Sequence, residues 1–370
     1  MSTAANSIFT ETDINGLTLR NRFAVAPMTR VSATADGKAT EEMQSYYERF
    51  AKGGFSLLIT EGLYTDKAWS QGYIHQPGIS DEAQALSWRP VVEAAHKHGG
   101  RVFAQIMHSG ALSYANGYRE GTVGPSAIKP KGTQSESYYG KDEFLTPRAM
   151  TDEEIADAID GFADSATRAI EVAGFDGIEL HGANGYLIDQ FLTDYSNTRT
   201  DRWGGSTERR VEFLLAVFKA ARARIGDAVP LGARISQGKT NYYYHKWQGR
   251  EADAEIIFGA LADVGADFIH VTEFEAWQPA FEGGRDSLAA LARRFAPNTP
   301  IIANGSLHNL VHAEEMIAQG IDVVAIGRGA LANPDLPRRA EATLDLVEFD
   351  PGLLVPVANL NLLSDVPILR

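Results

Sequence analysis

The sequence predicts a single (β/α)8 barrel, and three observations carry that expectation. Eight short runs of β-branched and apolar residues recur along the chain, each ending in Gly, Pro or polar residues, and alanine-rich stretches of helical periodicity separate most of them. Runs that are apolar almost throughout belong to a parallel sheet buried on both faces. Eight such strands is the number that closes this barrel, and 370 residues suits one barrel with insertions.

The runs are Arg22–Met28 (RFAVAPM), Ser56–Gly62 (SLLITEG), Arg101–Met107 (RVFAQIM) and Gly177–Ala183 (GIELHGA), then Pro230–Ser236 (PLGARIS), Phe268–Phe274 (FIHVTEF), Pro300–Ser306 (PIIANGS) and Val323–Gly329 (VVAIGRG). The helix after residue 151 has the clearest ends: Thr151 and Glu154 spell a capping box, and Gly174 stands where a C-cap belongs. STERRVEFLLAVFKAARARIG and EADAEIIFGALADVG end in Gly in the same way. The stretch 108–151 is too long for a plain loop after strand three and is expected to form a lid or hairpin over the barrel mouth. No linker divides the chain, so residues 1–370 read as one domain. The tail, about 346–370, carries enough apolar residues to pack on the barrel or on a neighbouring subunit.

Composition narrows the function. With no cysteine, disulfides, iron–sulfur clusters and thiolate zinc sites are excluded. A net charge of −14 argues against nucleic acid or an anionic membrane as partner, since phosphate affinity rests on clustered Lys and Arg. No basic segment followed by an apolar core opens the chain, and no apolar run is long enough to cross a bilayer, so a cytoplasmic setting is expected.

Active sites of such barrels lie at the C-terminal ends of the strands. Polar residues gather there: Thr29 after strand one, Glu61 and Gly62 after two, Gln105 in three, His181 and Asn184 at the end of four. Arg234 lies in strand five, Gly305 follows seven, and Gly327 with Arg328 follows eight. A buried Gln or Arg costs free energy unless hydrogen bonds offset it. Taken singly, each has a structural reading: His181 as a strand-end cap, Asn184 as a turn residue, Tyr186 as a packing ring. As a set at one rim they point to a site. Glu179 and His181 share a strand face and could begin a metal site, but no third ligand has fitting spacing, and no metal is expected.

The stretches APMTR, HGANGYLIDQFL, SNTRTDRWGGS (followed by Arg209 and Phe213) and GRGALANPDLP resemble the old yellow enzyme family of flavin-dependent ene-reductases, from about residue 6 to 340. The resemblance implies a (β/α)8 barrel that holds FMN non-covalently, is reduced by NADH or NADPH, and is reoxidised by a small-molecule activated alkene. It assigns Arg234 to the N1 and C2=O side of the ring, where reduction builds negative charge. Gln105 falls to the pyrimidine edge, Thr29 to the C4=O, and Pro27, Met28 and Gly62 to backbone contacts with the ring. Gly305, Ser306 and Gly327 fall to the phosphate as N–H donors, with Arg328 as its guanidinium. It also assigns His181 and Asn184 to the substrate oxygen and Tyr186 to protonation of the α-carbon, a role suited to a phenol that stays protonated at neutral pH.

The chain departs from the family at Arg209, where Asn is common, and in the aromatic segment QGKTNYYYHKWQG, Gln237–Gly249, expected to shape the substrate mouth or a subunit contact. Tyr73 is a further candidate for the substrate cavity. Two other functions fit the same residues: an FMN barrel oxidoreductase acting on a dienoyl thioester or an amine, and a barrel that binds FMN without turnover.

Overall fold

The computed structural model describes residues 7–141, 143–363 and 366–368. Eight parallel strands form the barrel: β1 (Phe23–Val25), β2 (Leu57–Ile59), β3 (Arg101–Met107), β4 (Gly177–Asn184), β5 (Leu231–Lys239), β6 (Phe268–Thr272), β7 (Ile301–Asn304) and β8 (Val323–Ile326). Each falls within or over one of the eight apolar runs. Neighbours pair in the order β2-β1-β8-β7-β6-β5-β4-β3, and β2 pairs with β3 to close the ring.

The strands alternate between an outer face packed under the helices and an inner face that changes character along the barrel. At the N-terminal end the inner face is apolar: Leu57, Phe103, Phe268, Ile302 and Val323 meet there, with the Phe103 and Phe268 rings 5.3 Å apart. A short hairpin, Thr12–Ile14 with Leu17–Leu19, adds Ile14 and Leu19 to this cluster and plugs that end. Its turn is Asn15-Gly16, both at positive φ (51° and 79°), as a two-residue hairpin loop requires.

Helices α1 (Glu41–Lys52), α2 (Glu82–His96), α3 (Asp152–Arg168), α4 (Glu212–Ile225), α5 (Glu251–Asp263), α6 (Leu288–Phe295) and α7 (Leu310–Ala318) cover the outside. The capping box at Thr151 and Glu154 is formed, and α3 runs on as a wider turn, Ala169–Ala173, to Gly174 at φ 84°. Among the described residues no helix is long and apolar enough to cross a membrane.

The insertion follows β3. Within it, Val123–Gly124 pairs in parallel with Arg148–Ala149 near its C-terminal end, and the segment between folds back through an antiparallel bridge, Thr133 to Glu143. Arg199 fastens it: the guanidinium grips Asp201 and donates to the carbonyls of Pro125 (3.2 Å) and Met150 (2.9 Å). The SNTRTDRWGGS motif is thus an anchor for the insertion, and Arg209 beside it is exposed. The tail packs on its own barrel: Leu360 and Leu363 join the core, Leu360 N–H donates to Ser32 (3.1 Å), and Ala358 N–H donates to Ser137 O (2.9 Å) in the insertion.

Candidate active site

The polar half of the inner face lies at the C-terminal end. Alternation brings Gln105, Glu179, His181, Arg234, His270, Thr272 and Asn304 inward from β3 to β7, and Arg234 is in register with both His181 and His270. Arg234 is buried. Its Nη2 donates to Asn304 Oδ1 (2.7 Å) and Thr272 Oγ1 (3.1 Å), while its Nε finds no partner among the described residues. Burial pushes the guanidinium down to about 10, opposed by Glu179, which still leaves it charged at neutral pH. Gln105 donates through Nε2 to Glu179 Oε1 (2.7 Å), and His270 Nδ1 lies 2.7 Å from Glu179 Oε2.

The residues that end β4 form a fixed turn. Asn184 sits at φ 63°, a left-handed conformation that Asn tolerates, and Gly185 at φ 89°. A side chain at Gly185 would meet Leu112 and Asn241 at 2.9 Å, so the turn needs glycine there. Asn184 N–H donates to Ser236 Oγ (2.8 Å), its carbonyl accepts from Thr240 N–H (3.0 Å), and Gly185 N–H donates to Asp189 Oδ2 (2.7 Å). Beneath the turn, Lys239 and Asp189 form a fully buried ion pair at 2.5 Å.

The turn places three groups together. His181 and Tyr186 are both buried, with ring centroids 4.8 Å apart in an edge-to-face contact. Burial, then Arg234 and His270, holds the His181 imidazole well below its ordinary value, so it is neutral. Its Nδ1 faces the Ala183 N–H at 3.4 Å. Burial raises the Tyr186 phenol, which stays protonated. Its hydroxyl is 2.5 Å from that of Tyr73, whose ring packs on Tyr114 and Tyr138 of the insertion at 4.9 and 5.2 Å.

The remaining sequence candidates ring the same mouth. Pro27, Met28 and Thr29 follow β1 beside β8, and a side chain at Gly327 would lie 3.8 Å from the Met28 sulfur. Gly62 follows β2 against Met107, where an added Cβ would be 2.6 Å from the sulfur. Gly305 (φ 145°) approaches the Glu273 carbonyl so closely that a Cβ would sit 2.3 Å from it. Ser306 lies at φ 54°, with Arg328 Nη2 3.5 Å from its hydroxyl. The β7 and β8 turns therefore bring one guanidinium and two tight backbone turns to one place, while Arg234 offers a buried cation with a spare donor. That set fits a planar, electron-accepting ring carrying one phosphate.

Sequence reasoning passed over Glu179 as a neighbour of Gln105, and over His270, Thr272, Asn304, Asp189 and Lys239. Part of this was detectable: polar residues two apart on otherwise apolar strands, Glu179/His181 and His270/Thr272, share the inward face. Lys239 and Asp189 are 50 residues apart, and nothing local joins them.

A probable flavin-mononucleotide-dependent alkene reductase of Leishmania infantum is 35% identical over 346 residues, 92% of this chain and 91% of that protein. The NADH oxidase of Thermoanaerobacter brockii is 32% identical over 348 residues, 90% of this chain, and this chain spans half of that protein's length (50%). The solved old yellow enzyme homologue from Zymomonas mobilis superimposes with a TM-score of 0.87 at 29% identity, covering 98% of this chain and 100% of the other. Fold and comparisons together define a barrel flavin oxidoreductase. The chain belongs to the NADH:flavin oxidoreductase / NADH oxidase family, whose model matches residues 7–346, and its structural kin there are the old yellow enzymes, with FMN as cofactor.

Proposed function

We propose that this protein is an NAD(P)H-dependent ene-reductase acting on small activated alkenes: enones, enals, maleimides and nitroalkenes. The observation that carries the proposal is the β4 turn, which sets a neutral imidazole, a carboxamide and a protonated phenol at one rim beside a buried cation. FMN, when bound, supplies the two-electron chemistry between the nicotinamide donor and the alkene β-carbon. Arg234 and Gln105 would hold the pyrimidine edge of its ring, Thr29 its C4=O, the backbone of Pro27, Met28 and Gly62 its face. Gly305, Ser306, Gly327 and Arg328 would hold its phosphate.

The other roles belong to the turn. With Nδ1 turned to the Ala183 N–H, the neutral His181 carries its proton on Nε2 and can donate it in a hydrogen bond to the substrate oxygen. Asn184 supplies the second donor, and two donors aimed at an oxygen that gains charge act as an oxyanion hole. Tyr186 gives its proton to the α-carbon. Tyr73 can then donate to the phenolate oxygen left behind, at the 2.5 Å contact already formed. The insertion, through Tyr114 and Tyr138, keeps this phenol pair dry.

Heat release of the cofactor should yield FMN and no FAD. Anaerobically, NADH or NADPH should bleach the protein, and cyclohexenone, a maleimide or a nitroalkene should restore its colour. A bleached protein that no activated alkene reoxidises would overturn the ene-reductase assignment.

A further inference from the structure

We infer that Glu179 is a charge-balancing and positioning residue: its buried carboxylate offsets Arg234 and orients Gln105, and so sets how readily the bound flavin is reduced. The inference rests on the reading above, in which Arg234 and Gln105 meet the pyrimidine edge of FMN.

Glu179 lies in the middle of β4 with no exposed surface. Oε1 accepts from Gln105 Nε2, and Oε2 lies against His270 Nδ1, each at 2.7 Å. As a carboxylate accepting on both oxygens, Glu179 calls for the His270 tautomer that carries its proton on Nδ1. Burial keeps His270 below its ordinary value, so that partner is neutral. Among the described residues no Lys or Arg lies within ion-pairing distance of Glu179. An anion this deep with only neutral partners is costly unless a positive charge lies near.

That charge is Arg234, on the neighbouring strand. Gly232, in register with Glu179 and Phe268, places no side chain between β4 and β6, and a Cβ there would strike Phe268. Glu179 in turn acts on Arg234 as the main influence opposing the burial of its guanidinium. The inner face at this level therefore holds one anion and one cation, with no net charge. The same carboxylate commits one of the two Gln105 amide hydrogens, leaving Oε1 and one N–H for a ligand.

Removing the negative charge alone leaves Arg234 unopposed, and electrons added nearby become easier to hold. The test compares FMN-loaded wild type with Glu179→Gln, which keeps the shape and loses the charge, and Glu179→Asp, which keeps the charge and loosens the hydrogen bonds. Flavin midpoint potentials and FMN content are measured on the same preparations. Glu179→Gln should shift the two-electron equilibrium about tenfold toward reduced flavin, a rise of about 30 mV, while Glu179→Asp stays within about threefold of wild type, some 15 mV on that scale. An unchanged or lower midpoint in loaded Glu179→Gln, equal shifts in both variants, or loss of FMN from both would make Glu179 merely structural. Arg234→Gln, measured in excess FMN, separates the two readings. A fall there with no change in Glu179→Gln overturns the Glu179 inference alone; no change in either overturns the placement of the ring as well.

Discussion

The two ends of the barrel interior are built from the same eight strands and obey opposite rules. At the N-terminal end, Phe103, Phe268, Leu57, Ile302 and Val323 fill the space with apolar volume, plugged by Ile14 and Leu19. At the C-terminal end the same inward alternation delivers Gln105, Glu179, His181, Arg234, His270 and Asn304, and leaves Arg234 Nε and His270 Nε2 buried without partners among the described residues. One end is optimised for packing. The other holds unsatisfied groups and tight turns, as expected where binding a ligand completes the structure. Mutations at the first end should therefore cost stability and spare turnover, and mutations at the second should do the reverse.

The largest effect should come from Phe268→Ala. Emptying a fully buried ring position costs about 3–5 kcal/mol, to be read from urea unfolding, while turnover per folded molecule stays within a few-fold. Lost turnover at unchanged stability would break the contrast from that side. The mirror experiment is His181→Ala with Asn184→Gly, glycine being chosen because alanine at φ 63° would add its own strain. Turnover with cyclohexenone should fall on the order of 10²–10³, FMN content should hold, and the unfolding midpoint should move little. Wild-type turnover would mean that the turn is structural.

Glu61 gives a case in which the functional end should gain stability from mutation. Burial raises its carboxyl to about 7, its Oε2 accepts from the Arg30 N–H (2.8 Å), and its Oε1 has no partner among the described residues. A carboxyl whose folded value lies above its unfolded one contributes its stability at acid pH and loses it as pH rises through the folded value. Glu61→Gln keeps the acceptor and removes the charge. It should match wild type near pH 5 and exceed it at pH 8 by on the order of 3 kcal/mol, since each tenfold change in proton affinity is worth ~1.4 kcal/mol. Parallel stability curves across that range would show that Glu61 does not titrate as described.

How much of this was legible beforehand follows from the range of the forces involved. All eight strands, the Thr151 cap and the Gly174 stop were readable, because apolar runs, capping boxes and glycine ends are local signals. So was the polar C-terminal rim of the barrel, since polar residues at strand ends are visible one strand at a time. The contacts among them were not. Glu179 looked like half a metal site until the barrel closed and gave its oxygens to Gln105 and His270. In the aromatic segment, the decisive residue was Lys239, whose burial against Asp189 depends on where β5 passes under the β4 turn. Tyr243 and Tyr244 in that segment are 74% and 89% exposed, which leaves them free of the packing that fixes the rest. The insertion was readable as a lid or hairpin over the mouth, but not in its contacts. Its packing of Tyr114 and Tyr138 on Tyr73 goes with its anchoring by Arg199, far along the chain.

The finest test of the contrast lies within the β4 turn itself, between the groups proposed to bind and the group proposed to give a proton. Tyr186→Phe keeps the ring, its edge-to-face contact with His181 and the packing of Tyr73, and removes one hydroxyl. If Tyr186 only protonates the α-carbon, reduction of the protein by NAD(P)H should stay near wild type. Reoxidation by cyclohexenone should fall by about 10², the low end for a general acid, because the neighbouring Tyr73 hydroxyl can replace the phenol in part. A nitroalkene should be spared, since its nitronate product is a stable anion that can leave and take its proton from solvent. Stopped-flow reoxidation of reduced Tyr186→Phe by the two substrates reads this difference directly. Equal slowing with both would make Tyr186 a binding or packing residue, and no slowing with either would move the proton source elsewhere, with Tyr73, 2.5 Å away, as the first residue to examine.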